Sequence, residues 1–100
     1  MASWYDKAVF YHIYPLGMLG APFVNTEDAA ADRFPELDQW VAHMEATGCT
    51  ALYIGPLFES SSHGYDTRDY RLVDRRLGTN EGFRHFTRLC HEAGIRVVVD

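Results

Sequence analysis

Residues 59–70 read ESSSHGYDTRDY and place Glu59, His63, Tyr65, Asp66, Asp69 and Tyr70 in one short stretch. The chemistry that these types suit together is the holding of a sugar. A pyranose needs a flat apolar surface under its axial C–H face, and fixed acceptors and donors for the hydroxyls round its rim. An aromatic ring flanked by carboxylates supplies both. Tyr65 with Asp66, backed by Asp69 and Tyr70, is such a grouping, and Gly64 lets the backbone approach closely. A Tyr-Asp pair in a loop is also common turn chemistry, so the grouping by itself leaves that simpler reading open.

Other chemistries lack their parts. No G-x-G-x-x-G follows the first apolar run and no G-x-x-x-x-G-K-[ST] occurs, so nothing is built to cradle a phosphate. His12, His63 and their neighbouring carboxylates show no H-x-x-x-H or H-E-x-x-H spacing, and the sequence supports no metal site. Ser60, Ser61 and Ser62 lie in no G-x-S-x-G elbow and read as flexible loop. Cys49 and Cys90 stand far apart, each without a second Cys nearby, which fits two buried, reduced thiols better than a zinc knuckle or a disulfide scaffold. No cofactor is indicated.

The elements that must position the loop follow from the apolar pattern. Residues 8–14, AVFYHIY, form a β-branched and aromatic run that Pro15 stops, the signature of a parallel strand buried on both faces. Residues 16–32 are rich in Gly and polar groups and predict a long loop, with a short helical turn near 27–31. Asp32, Arg33 and Pro35 mark a helix start. Phe34, Leu37, Val41 and Met44 then recur at helical spacing, with Trp40 beside them, before Gly48 stops the helix. Residues 49–54, CTALYI, predict a second buried strand ended by Gly55-Pro56. Residues 57–78 predict another long connection, with an extended piece at 70–73. Thr79 caps a second helix whose stripe is Phe83, Phe86, Leu89, Cys90 and Ala93, and Gly94 ends it. Residues 95–99, IRVVV, are a third strand, closed by Asp100.

This β-loop-α-β-loop-α-β order predicts right-handed parallel units of an α/β fold. In such folds ligands bind beyond the C-terminal ends of the strands. Tyr14 ends the first strand, the polar stretch 59–70 follows the second, and Asp100 closes the third. The connections leaving those ends are long, whereas Gly48 and Gly94 keep the returns short.

Composition narrows the partners. The chain of 100 residues is 47% hydrophobic and 23% charged with a formal net charge of −5, ordinary for a folded chain and wrong for disorder. Its nine Lys and Arg residues are scattered, so the basic footprint of a nucleic-acid binder is missing. The first residues have no basic-then-apolar leader pattern, and no run approaches the length of a membrane span. The expectation is a cytoplasmic protein with neither nucleic acid nor membrane as partner.

Taken together, YHIYP at 11–15, ALYIGPLFESSSHGYDTRDY at 51–70, VDRRLGTNEGF at 73–83 and CHEAGIRVVVD at 90–100 resemble glycoside hydrolase family 13, the α-amylase family, in its cyclomaltodextrinase and neopullulanase-like branch. The resemblance implies the N-terminal β/α units of a (β/α)8 TIM barrel, three strands and two helices of one catalytic domain, with residues 1–100 an incomplete portion of it. A whole barrel takes about 250 residues. It also implies a retaining α-glucan hydrolase or transglycosylase acting on an oligosaccharide substrate, with a non-catalytic amylase-like scaffold as the alternative. Tyr65 matches the family's stacking tyrosine and Asp66 its partner in the Tyr-Asp pair. Asp100 matches the first residue of an Asp-x-x-x-Asn-His block that orders the catalytic centre, a role extended here to Tyr14 and His63. Asp74 and Gly78 match a stretch read as structural. Relatives that act on short sugars carry an Asp at the position of Ser62, which argues against a strict preference for terminal glucose units. The nucleophilic Asp, the acid/base Glu and the second Asp belong to later strands, so no catalytic residue is expected before Asp100 and the 100 residues alone should be inactive. Calcium is compatible with the whole protein but not indicated by these residues. Open apolar strand edges predict self-association of the segment in isolation.

Overall fold

The computed structural model describes residues 7–26 and 30–99. In chain order its elements are β1 (Phe10–Ile13), α1 (Pro15–Met18), a 3-10 turn (Phe34–Leu37), α2 (Asp38–Ala46), β2 (Ala51–Ile54), β3 (Phe58–Ser60), β4 (Thr67–Val73), α3 (Asn80–Glu92) and β5 (Arg96–Val99). The strands β1, β2 and β5 make one parallel sheet in that spatial order. Successive parallel strands are thus neighbours, with α2 and α3 in the two crossovers and no reversal of strand order. This winding is that of a stretch of barrel wall, and the first half of a doubly wound sheet shares it.

The register levels the strand ends. Ile13 lies opposite Ile54, and Ile54 opposite Val99, so the loops after all three strands leave from one end of the sheet. Side chains alternate across a strand, which sends Ile13, Leu52 and Ile54 to one face. There they join Leu37, Val41 and Met44 and, from α3, Phe86 and Cys90 in a single buried cluster. The other face carries His12, Tyr53 and Val98, which are exposed or half-buried, with the His12 and Tyr53 rings edge to face at 5.1 Å.

The middle strand is more buried than its neighbours but not completely so. Ala51, Leu52 and Ile54 are fully buried and Tyr53 is half-buried, whereas Val9, Phe10 and Val99 are exposed. The reason is topological: β1 and β5 each have a hydrogen-bonded neighbour on one side only, and the described helices pack on one face.

The helices end as the glycines predict, with Gly48 and Gly94 at φ of 83° and 77°. The entries differ more. The expected helix start at 32–35 is the 3-10 turn, and no side chain caps it. After Tyr14 the chain does not go straight into an irregular loop but makes the single turn α1, with Pro15 in the first turn, where its missing N–H costs nothing. The turn expected near 27–31 falls mainly on 27–29, outside the described residues. The connection 57–78 is the largest departure: its extended part is the whole of β4, paired antiparallel with β3 through an irregular register. Five of the seven β4 residues are Thr, Arg, Asp, Tyr and Arg, and the strand lies mostly exposed, so no apolar run announces it.

The cap of α3 is as expected. The Thr79 hydroxyl oxygen accepts from the Gly82 amide at 3.0 Å. Thr79→Ala is predicted to lower stability by about 1 kcal/mol, read as a shift in urea midpoint at unchanged slope.

Candidate functional site

The long connections after β1 and β2 meet beyond the sheet's C-terminal end, and charge holds them there. Asp74 and Arg76 are both buried. Asp74 Oδ1 accepts from the Arg76 amide and Nε, each at 2.9 Å; its Oδ2 accepts from Arg76 Nη2 at 2.9 Å and from the Ser60 amide and hydroxyl at 3.1 Å. Arg76 Nη1 then reaches across to the carbonyls of Pro22 and Phe23 at 2.9 and 3.1 Å. Burial pushes the Asp74 carboxyl up, yet the Arg76 guanidinium and amide and the Ser60 amide outweigh it and hold the group below the ordinary carboxylate range. A depressed folded-state pKa gives stability that is present above the unfolded pKa and lost as pH falls through the folded one.

A second buried acid completes the clamp. Glu59 Oε2 takes Arg75 Nε at 2.6 Å, while Oε1 takes the Arg75 amide and Asn25 Nδ2, both at 3.0 Å. Asn25 also donates its side chain to the Ser60 carbonyl at 2.9 Å and its amide to the Ser61 carbonyl at 2.9 Å. Loop 19–26 is thereby tied to the β3–β4 hairpin.

The tip of the hairpin carries the residues expected to form a sugar site. Ser62 Oγ donates to Asp66 Oδ2 at 2.6 Å and the Gly64 amide to Oδ1 at 3.2 Å. The Ser62 hydroxyl is the main cause that lowers Asp66 to a pKa of about 2; partial burial opposes it, and the amides of Ser62, Asp66 and Gly64 assist it. Tyr14 donates its hydroxyl to the His63 carbonyl at 2.8 Å. His63 Nδ1 accepts the Tyr65 amide at 3.1 Å and lies 3.8 Å from Asp66 Oδ1. The Tyr65 side chain stands out into solvent with 69% of the residue exposed. Gly64 has φ of 105°, and a Cβ there would overlap the Pro56 ring. Only glycine fits both the conformation and the gap.

Tyr14, His63, Tyr65 and Asp66 are therefore brought together. Asp69 is not: it turns to accept the Arg71 amide at 2.8 Å, and Tyr70 packs near Phe58 with ring centroids 6.0 Å apart. Asp100 lies outside the described residues. Gly78 is structural, since a Cβ there would come within 2.7 Å of Phe34. Among the described residues no group of three or more His, Cys, Asp or Glu is placed to hold a metal ion, and no helix is long and apolar enough to cross a membrane. The residues that sequence reasoning missed are Asn25, Arg76 and the supporting role of Ser62. The one available signal was Asp74 followed by the two arginines Arg75 and Arg76 between Val73 and Leu77.

Parallel strands wound in order, helices in the crossovers, and loops gathered at the C-terminal strand ends define the opening units of a (β/α)8 TIM barrel. Residues 23–100 match the family of the α-amylase catalytic domain, and the chain belongs to that family. It is 34% identical over 103 residues to an oligo-1,6-glucosidase of Heyndrickxia coagulans, covering 100% of this chain and 18% of the relative. It is 33% identical over 114 residues to neopullulanase 2 of Thermoactinomyces vulgaris, covering 98% and 20%. Among solved structures, the cyclic α-maltosyl-(1→6)-maltose hydrolase of Arthrobacter globiformis, in complex with cyclic α-maltosyl-(1→6)-maltose, superposes with a TM-score of 0.77 at 33% identity, over 97% of this chain and 25% of that one. The chain spans about a fifth of the length of the curated relatives it matches.

Two outcomes follow from the geometry. Ser62→Ala is expected to raise the Asp66 pKa from about 2 back toward the ordinary carboxylate range, visible in the pH titration of its carboxyl carbon by NMR. Arg76→Met leaves Asp74 buried without its cation and is expected to cost about 3–5 kcal/mol in urea unfolding, part of which a simultaneous Asp74→Leu restores.

Proposed function

We propose that the whole protein is a retaining α-glucan glycoside hydrolase or transglycosylase acting on maltodextrin- or cyclodextrin-type oligosaccharides, and that residues 1–100 form part of its single catalytic barrel domain. These residues supply the seat for the sugar and none of the reacting carboxyl groups. Tyr65 is the platform under the ring at the bond to be cleaved and Asp66 accepts from its hydroxyls. Tyr14 and His63 order that loop, and Asp100 orders the catalytic centre. The observation that carries this reading is the exposed Tyr65 ring beside a carboxylate kept ionised by Ser62, at the C-terminal end of the sheet. The names oligo-1,6-glucosidase, neopullulanase and cyclic α-maltosyl-(1→6)-maltose hydrolase among the relatives support it.

Retaining cleavage needs two carboxyl groups about 5 Å apart, one attacking and one protonating the leaving oxygen. Glu59 and Asp74 are committed to arginines and Asp66 to Ser62 and Gly64, which supports the reading that the segment alone is inactive. By itself it associates through the edges of β1 and β5. Two free thiols, Cys49 and the buried Cys90, support a reducing, cytoplasmic location.

In the whole protein, glucose or maltose should be released from maltodextrin and cyclodextrin with the anomeric configuration retained, as proton NMR of the first-formed product would show. A folded protein without turnover would favour the scaffold alternative. Tyr65→Ala should lower kcat/KM by about tenfold or more through lost positioning; an unchanged value would remove Tyr65 from the site.

A further inference from the structure

We propose that Phe23 is a second stacking surface for the glucan, and that the cleft between it and the Tyr14–His63 contact receives a ring adjoining the one on Tyr65. The inference rests on the sugar-site reading above and extends it to the loop after β1.

Phe23 is 80% exposed, the most exposed of the large hydrophobic residues described. A phenyl ring in water on a loose loop would mean little, but this loop is fastened at every step. The Ala21 amide donates to the Leu16 carbonyl at 3.0 Å, the Pro22 and Phe23 carbonyls accept from Arg76, and Asn25 is bonded to Glu59 and Ser60. The backbone that carries Phe23 is therefore held by the buried Asp74–Arg76 pair, while the ring is left outside. Phe23 is among the residues that line a cleft of about 240 Å³, with Tyr14, Gly17, Ser62, His63 and Arg76. That is roughly the volume of eight waters in the liquid, on the scale of a single hexose ring. Gly17 matters to its shape, since a Cβ at that position would lie 2.9 Å from the Tyr14 ring.

The cleft repeats the chemistry of the Tyr65 seat. Its lining is mostly apolar and includes the aromatic residues Phe23 and Tyr14. It also holds polar groups: the Tyr14 and Ser62 hydroxyls each donate within the protein, at 2.8 and 2.6 Å, and keep oxygen lone pairs that can accept from a sugar hydroxyl. The cation in the lining is no anion site, because Arg76 is already neutralised by Asp74. A neutral, hydroxyl-rich ring with an apolar face is the ligand that matches. Ser62 and His63 line this cleft and also belong to the loop that shapes the Asp66 site. Rings in the two places would be neighbours on one chain.

The test compares two substrates in the whole protein. Maltotetraose needs more than one ring bound, whereas α-glucosyl fluoride places a single ring at the scissile position and carries a leaving group too small to reach Phe23. Phe23→Ala is expected to lower kcat/KM for maltotetraose about tenfold, mainly through KM, and to leave α-glucosyl fluoride within about twofold, with Phe23→Tyr close to wild type. Equal losses on both substrates, or no loss on either, would overturn the role of Phe23 while the glucan reading stands on the wild-type activity. If the folded wild type neither turns over nor binds maltotetraose by calorimetry, the glucan reading falls and this inference falls with it. An unchanged thermal midpoint in Phe23→Ala shows that the loss is not one of folding.

Discussion

A carboxylate shut away from water, Asp74, is the constraint around which the loops beyond the sheet are arranged. Long connections that cross the end of a sheet bring backbone amides and carbonyls out of solvent without a strand ladder to satisfy them. Here side-chain charges take the place of the ladder. Asp74 receives the amides of Ser60 and Arg76, Glu59 receives that of Arg75, and Arg76 and Asn25 donate to the carbonyls of Pro22, Phe23 and Ser60. The same segment also pairs by backbone alone, with the Ala31 amide on the Arg75 carbonyl at 2.8 Å and the Arg33 amide on that of Leu77 at 2.7 Å. Removing either charge would strand the other in a place where it cannot be hydrated.

Support and presentation are thus divided between different residues. The groups that hold the loops are buried and fully engaged with one another. Those that face solvent, Tyr65 and Phe23 above all, are carried on backbone that is fixed for independent reasons: the Gly64–Pro56 packing in one case and the Arg76 carbonyl contacts in the other. A binding surface made this way loses little freedom when a ligand arrives, which is where rigid positioning gains affinity.

What could be read from the sequence was local. Gly48 and Gly94 stop helices because of their own backbone freedom, Thr79 caps with its own hydroxyl, and the apolar runs that became β1, β2 and β5 need no partner to be recognised. The Tyr65–Asp66 pair was legible for the same reason, as an aromatic beside an acid with a glycine before it. The hairpin was not, because β4 alternates charges and an aromatic on an exposed ribbon and depends on pairing with β3. Nor was the clamp: Arg76 meets Pro22 and Phe23 across more than fifty residues of chain, and nothing near either end marks the other. Phe23, a lone aromatic between Pro22 and Val24, carries no mark in the sequence that sets it apart from the rest of the long loop. Its position at the mouth of a cleft is a property of the fold.

The ionisation of Asp66 shows which part of glycosidic chemistry this region can serve. A general acid must keep its proton near neutral pH, so its environment has to push its pKa up. The Ser62 hydroxyl and the Gly64 amide push Asp66 the other way, to about 2. A group in that state accepts hydrogen bonds at every pH where the protein works and gives no proton. The arginine partners of Glu59 and Asp74 leave those carboxylates with structural work only. At this end of the sheet Asp66 and Asp74 are thus held below the ordinary carboxylate range, and Glu59 is tied to Arg75. Across the sheet, the face bearing His12, Tyr53 and Val98 lies uncovered among the described residues. In a closed barrel of this winding that face turns inward, the helices being outside. On the reading proposed above, an acid and a nucleophile would come from other strands, with this segment forming one wall of the site.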